Sequence, residues 1–173
     1  MAYAYLAGGC FWCITPVFAQ CPGVLDVRSG YSGGSEQNPT YEAVKHQQTG
    51  HRETVRIEYD PEQVSFGQLL DLFLENTDPF DPGGQYIDRG YSYTLAVYWQ
   101  NTEERETAEK KIRSLETESG QKVCVAVEPF VEFWPAEEYH QDFYRKNPEA
   151  FEAEMTASGR KRKETVTVSD QQD

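Results

Sequence analysis

Apolar and polar positions alternate most cleanly over Glu53–Tyr59. Glu53, Val55, Ile57 and Tyr59 share one side, Thr54, Arg56 and Glu58 take the other, and the run stops at Asp60-Pro61. A period of two predicts a strand. The pattern then changes. Leu69, Leu70, Leu72, Phe73 and Leu74 lie at helical spacing within Phe66–Glu75, and Ser65 stands where an N-cap belongs. Upstream, the short apolar run Ala2–Ala7 ends at Gly8-Gly9 and predicts a strand feeding a tight turn. From Cys10 to about Phe18 a helix is expected, with Pro16 in a first-turn or kink position. Val24–Tyr31 reads as a strand running into the loop Ser32-Gly33-Gly34, and Tyr41–His46 as a short helix capped by Thr40.

Downstream, Asn76–Gly90 is a Gly/Pro/Asp-rich loop, longer than compact domains usually carry between elements, which hints at function. Tyr93–Trp99 predicts a strand, and Thr102–Ser119 a charged helix closed by Gly120. Val123–Glu128 predicts a further strand, with Cys124 packed in the core. Ala136–Arg145 predicts a short helix rich in Tyr and His, and Pro148–Met155 a last turn. Strands interleaved with helices imply a two-layer α+β or α/β domain. Residues 1–157 are expected to form one domain, and 158–173, with the basic cluster Arg160–Lys163, a loose polar tail.

Composition narrows the functional classes. The 173 residues carry a formal net charge of −13, with 38% hydrophobic and 26% charged positions. That balance is globular, and it lacks the positive footprint that nucleic acids or anionic lipids require. No apolar run approaches a membrane span, and the N-terminus has no basic n-region. A cytoplasmic location is therefore expected. Thiols stay mostly reduced there, so Cys10, Cys13, Cys21 and Cys124 are not expected to form a fixed disulfide framework.

The chemistry centres on Gly8-Gly9-Cys10-Phe11-Trp12-Cys13. A strand, a Gly-Gly turn and a helix place Cys10 at unpartnered helix N–H groups, which lower a thiol's pKa and predict a reactive thiolate. Phe11 and Trp12 add apolar surface beside the sulfur. A free cysteine also packs as a small hydrophobe, so the weight rests on the turn context. Cys10 and Cys13 face the same side of a first helical turn, a spacing that permits a reversible disulfide. A zinc site would need two more ligands from Cys21, Cys124, His46, His51 or His140. None shows a second paired spacing, so a metal site is not expected. Glu53 opens a strand near the loops that carry Cys10, either as a solvated strand end or as a general acid if burial raises its pKa. Tyr41, Tyr86, Tyr91 and Tyr93 lie in or beside loops, and Tyr139-His140-Gln141 is a helix surface or a pocket wall.

Six ordered motifs then carry a resemblance: Gly9-Cys10-Phe11-Trp12, Gly30-Tyr31-Ser32-Gly33-Gly34, Pro39-Thr40-Tyr41, Gly50-His51-Arg52-Glu53, Tyr59-Asp60-Pro61 and Ala136-Glu137-Glu138-Tyr139-His140-Gln141. From about Leu6 to Pro148 the chain resembles the peptide-methionine (S)-S-oxide reductases, which repair one sulfoxide epimer of methionine. The fold implied is α+β, a two-layer α/β sandwich with a mixed central sheet and flanking helices, of the ferredoxin-like plait type. The resemblance implies that Cys10 attacks the sulfoxide sulfur and becomes a sulfenic acid. Glu53 would protonate the sulfoxide oxygen, with Tyr41 and Tyr93 hydrogen-bonding it. Phe11 and Trp12 would hold the S-methyl group, and Asp88 and His140 would line the same pocket. Thioredoxin or another dithiol is the implied reductant, with no metal or organic cofactor, and free methionine sulfoxide or oxidised proteins the substrates. A monomer is expected.

Two departures stand out. Many members read Gly-Thr-Gln-Tyr-Arg-Ser where this chain has Gly90-Tyr91-Ser92-Tyr93-Thr94-Leu95, which keeps the tyrosine. Many also carry resolving cysteines in a C-terminal tail, and this tail has none. Cys13 is then the first candidate to resolve a sulfenic acid on Cys10, Cys21 the second, and an external thiol a third. A non-catalytic sulfoxide-binding redox sensor is the alternative reading, although a sensor has no need of a proton donor at Glu53.

Overall fold

The computed structural model describes residues 1–158. In chain order the elements are β1 (Ala2–Gly8), α1 (Phe11–Ala19), β2 (Val24–Ser32), α2 (Tyr41–Lys45), β3 (Arg52–Tyr59), α3 (Phe66–Glu75), β4 (Gly84–Gln85), β5 (Asp88–Arg89), β6 (Leu95–Trp99), α4 (Thr102–Ser119), β7 (Val125–Pro129), β8 (Phe133–Pro135), α5 (Phe143–Lys146) and α6 (Pro148–Ser158). The main sheet has six strands in the order β7-β6-β1-β3-β2-β8, and β4 and β5 form a separate hairpin. All neighbours in the main sheet are antiparallel except β6 and β7, which are parallel and joined by α4. A parallel pair needs such a crossover.

The sheet is mixed and helices pack on it, so the α+β class holds. Alternation along the strands divides the apolar residues between two faces. On β1, Ala4 and Leu6 join Val55 and Ile57 of β3, Phe11, Ile14 and Phe18 of α1 and Leu69, Leu70 and Phe73 of α3 in the main core. Tyr5 and Ala7 point the other way and meet Ala96 and Tyr98 of β6. That second face is covered by the segment between β7 and β8, where the Phe130 ring stacks on Tyr5 at 3.9 Å. Each large side chain buried in this way stabilises the fold by roughly 1.5–3 kcal/mol.

Local chemistry explains the predicted caps. Thr40 accepts from the Ala43 N–H. Ser65 and Gln68 form a reciprocal capping box at α3, worth about 1 kcal/mol. Gly120 closes α4 in the left-handed region at φ 68°, as a C′ glycine does. Gly30 is required for another reason, since any side chain there would collide with Phe133 and the Trp134 carbonyl of β8.

The structure departs from the sequence pattern in five places. Pro16 lies beyond the first turn, inside α1. The strand expected from Tyr93 begins at Leu95, because Tyr91–Tyr93 form a 3₁₀ turn. Cys124 precedes β7 and is half-buried, with its N–H donating to the Pro79 carbonyl at 2.6 Å, so it is not a core strand residue. The helix expected over Ala136–Arg145 is broken into a 3₁₀ turn (Glu138–His140) and α5, with Asp142 at φ 52° between them. The last turn expected at Pro148 is an eleven-residue helix. Residues 159–173, including Arg160–Lys163, lie outside the described residues.

The broken segment is held by Gln141, which is buried. Its amide oxygen accepts from the Ser29 N–H at 2.9 Å, and its amide nitrogen donates to the carbonyls of Ser29 and Ala136 at 2.9 and 3.0 Å. One side chain thus completes the edge of β2 and sets the position of His140 beside it. Gln141→Leu should cost about 2 kcal/mol or more, because it strands buried backbone groups. Urea denaturation measures this, and a loss below about 0.5 kcal/mol, the level of an ordinary surface change, would contradict the role assigned to Gln141.

Candidate active site

The strand period that defines β3 also builds the site. Glu53 lies on the side of the strand that buries Val55 and Ile57, so it enters the core beneath the start of α1 and is 1% exposed. Gly9, at φ 85°, turns the chain out of β1. Cys10 follows as the non-helical N-cap of α1, with φ −56° and ψ 118°. Its side chain makes no cap hydrogen bond. The first free helix N–H, that of Phe11, donates instead to Glu53 Oε1 at 3.1 Å.

That geometry corrects the thiolate expected at Cys10. The helix terminus serves the Glu53 carboxyl rather than the sulfur. The Cys10 thiol is pushed well above its ordinary pKa by its hydrogen bond with Cys13, by burial, and by the neighbouring acidic groups Cys13, Glu53 and Asp88. These surroundings favour the neutral thiol at Cys10. Glu53 is the counterpart. Burial raises its pKa to about 8, the Phe11 N–H pulls it down, Asp88 raises it and the Tyr93 hydroxyl lowers it. At neutral pH its protonated form dominates, as a general acid requires.

Tyr41 opens α2, and its N–H donates to Glu137 Oε2 at 3.2 Å. The Tyr31 hydroxyl donates to the other oxygen of the same carboxylate at 2.9 Å. Glu137 thereby fastens α2 to the segment before His140. Burial holds the Tyr41 and Tyr93 hydroxyls firmly protonated. Tyr93 closes the 3₁₀ turn that follows the loop. The turn is secured by Gln47, which accepts from the Ser92 N–H at 3.0 Å and donates to its hydroxyl at 2.8 Å. Arg52 also holds it, donating to Thr94 Oγ1 at 2.8 Å and stacking on the Tyr91 ring. These contacts fix Tyr93 without the Gln and Arg that many family members carry in the segment.

An aromatic wall stands beside the sulfur. Trp12 stacks on Phe143 with centroids 4.1 Å apart, and Tyr41 lies 4.2 Å from the His140 ring. Phe11 packs against Tyr31, Tyr41 and His140. The Trp12 Nε1–H donates to His140 Nδ1 at 3.0 Å. Burial lowers the His140 pKa. The imidazole is thus neutral, and because indole can only donate, its proton sits on Nε2.

The long loop is ordered by the β4–β5 hairpin and by the Asp81–Arg89 ion pair. The hairpin delivers Asp88 to the site, where its carboxylate, Cys10 Sγ and a Glu154 carboxylate oxygen lie within 4.8 Å of one another. Among the described residues this is the one group with a metal-like donor set, and Cys21, Cys124, His46, His51 and His140 are not part of it. Cys13 touches Cys10. Cys21 lies past the far end of α1, about 16 Å along the helix axis from Cys10. A wide groove of about 1180 Å³ between α3 and α4 holds none of these residues.

All nine expected site residues therefore occupy one neighbourhood. Tyr31, Glu137 and Glu154 were missed. Tyr31 and Glu137 stand inside quoted motifs, which offered a signal, but Glu154 stands in a segment with no motif.

Comparison with known proteins agrees with this constellation. The sequence profile described as Peptide methionine sulfoxide reductase matches residues 2–172. Peptide methionine sulfoxide reductase MsrA 2 of Staphylococcus aureus is 45% identical over 161 residues, 92% of this chain and 91% of that protein. MsrA of Halalkalibacterium halodurans is 46% identical over 159 residues, 91% and 90% of the two chains. Reduced Mxr1 of Saccharomyces cerevisiae superposes with a TM-score of 0.81 at 26% identity, covering 86% of both chains. A profile match over residues 2–172 and relatives 45–46% identical across nearly the whole length, on this fold, place the chain in the peptide methionine sulfoxide reductase family.

Proposed function

We propose that the protein reduces methionine (S)-sulfoxide to methionine, with Cys10 as nucleophile and Glu53 as acid. The observation that carries this reading is the buried Glu53 carboxyl, raised to about 8 and facing a thiol beside an aromatic wall. A sulfoxide is polar at oxygen and apolar at methyl. Its oxygen suits the Glu53 proton and the Tyr41 and Tyr93 hydroxyls, which meet the charge developing there. Its methyl suits Phe11 and Trp12, with Asp88 and His140 completing the pocket. Glu53 gives its proton to the oxygen and takes up the Cys10 thiol proton, which generates the thiolate only when substrate is present. Attack at sulfur then passes the hydroxyl to Cys10, so methionine leaves and Cys10 becomes a sulfenic acid.

Cys13 is the resolving thiol in this scheme. Its attack on the sulfenic acid forms a Cys10–Cys13 disulfide and releases water. The contact between the two thiols, with Cys10 in the non-helical N-cap position, supports this pairing. A dithiol protein of the thioredoxin type then exchanges with the disulfide. Mxr1 has also been solved in complex with Trx2, a structure that shares the fold at a TM-score of 0.56 and 18% identity. The substrate's protein context, the cytoplasmic location and the monomeric state belong to the same reading. No helix among the described residues is long and apolar enough to cross a membrane.

A steady-state assay of both sulfoxide epimers with dithiothreitol and with thioredoxin tests the activity, and inactivity on the S epimer refutes it. Cys10→Ser should abolish turnover. Glu53→Gln should slow single-turnover methionine formation about 100-fold or more at pH 7. In the wild type that rate should fall as pH rises through about 8 and Glu53 loses its proton. Full rate in the Gln variant excludes the acid role. Mass spectrometry after one turnover without reductant should find the Cys10–Cys13 disulfide, and a Cys10–Cys21 bond or a persistent sulfenic acid would remove Cys13 from the scheme.

A further inference from the structure

We propose that Glu154 reads the α-ammonium of the substrate, so that the Cys10 site favours methionine sulfoxide bearing a free amino group, as the free amino acid or an N-terminal residue. The inference rests on the reductase reading given above and deepens it. Glu154 belongs to α6, which packs against α1. It brings a carboxylate oxygen within 4.8 Å of both Cys10 Sγ and the Asp88 carboxylate. No ion pair among the described residues engages it.

The rest of the pocket fixes where the substrate's third substituent goes. Glu53 is 1% exposed, and its Oε2 lies buried without a hydrogen-bond partner. The Glu53 carboxyl lies close enough to Cys10 and Asp88 for each to influence the others' charge. With the sulfoxide oxygen at Glu53 and the methyl against Phe11 and Trp12, the third substituent is assigned to the side of Asp88 and Glu154, whose carboxylates lie beside the same sulfur. Four bonds separate sulfur from the α-nitrogen, a reach of roughly 5 Å. The nitrogen thus arrives where the Glu154 carboxylate waits.

An α-ammonium brings a full charge and several donors, whereas a peptide nitrogen brings one neutral N–H. Charge-assisted hydrogen bonds are roughly twice as strong as neutral ones. A cation also relieves the repulsion between two neighbouring carboxylates. The same contact turned toward a chain interior offers only the weaker bond, so the preference follows from charge and needs no steric block.

The test compares L-methionine (S)-sulfoxide amide with its N-acetyl derivative, which differ only at the α-nitrogen, using the full chain with dithiothreitol and EDTA. In the wild type kcat/KM should favour the free amine. Glu154→Gln should lower the ratio of the two kcat/KM values about ten-fold, through KM of the free amine. A parallel fall for both substrates makes Glu154 a packing residue and overturns the proposal, as does an unchanged ratio. The sulfur and two carboxylates could also trap a thiophilic cation. If micromolar Zn²⁺ inhibits the wild type but not Glu154→Gln, while the substrate ratio stays the same, the cluster is a metal trap and the proposal fails. A wild-type protein that reduces neither substrate refutes the reductase reading itself.

Discussion

The hydrogen bond from the Phe11 N–H to Glu53 Oε1 organises everything around it. It joins the first turn of α1 to the start of β3, two elements 42 residues apart in the chain. It gives a buried carboxyl one strong donor and leaves the other oxygen without a partner. It also takes the helix terminus away from Cys10. The positive end of the α1 dipole thus serves the acid rather than the nucleophile. One bond thereby decides which group holds a proton and which waits for one.

The remaining electrostatics follow from crowding. Cys10, Glu53, Asp88 and Glu154 come from four separate elements and converge at one sulfur. Mutual repulsion and burial favour neutral forms, so Glu53 keeps its proton and Cys10 stays a thiol. A substrate that accepts the Glu53 proton changes that balance at the moment it binds. Chemistry is therefore tied to occupancy, and an empty site spares its thiol from adventitious oxidation, because the thiolate is the reactive form.

Scaffolding residues explain why these groups can be held so closely. Gln141 completes the β2 edge, Glu137 joins α2 to the segment before His140, and Arg52 and Gln47 secure the turn carrying Tyr93. Each is a polar side chain meeting backbone or hydroxyl groups that would otherwise lie unpaired in the interior. The loop after α3 is ordered in the same way, by a short hairpin and an ion pair rather than by apolar packing.

Much of this was legible in the chain alone. Period two in β3 and helical spacing in α3 report which face is buried, and the caps at Thr40, Ser65 and Gly120 are local chemistry within a few residues, so they could be read directly. The ordered motifs named Cys10, Tyr41 and Glu53 as partners, and the family resemblance they carry added Tyr93. What local pattern could not carry was anything settled by contacts between distant segments. Tyr93 leaves the sheet because Arg52 and Gln47 hold its turn, and 136–145 breaks because Gln141 must reach Ser29. The protonation state favoured at Cys10 differs from the local expectation for the same reason. A helix start predicts a thiolate, but a carboxyl from another strand claims that helix start, and only the folded chain brings the two together. Glu154 enters the site through the packing of α6 on α1, a contact with no signature in its own sequence.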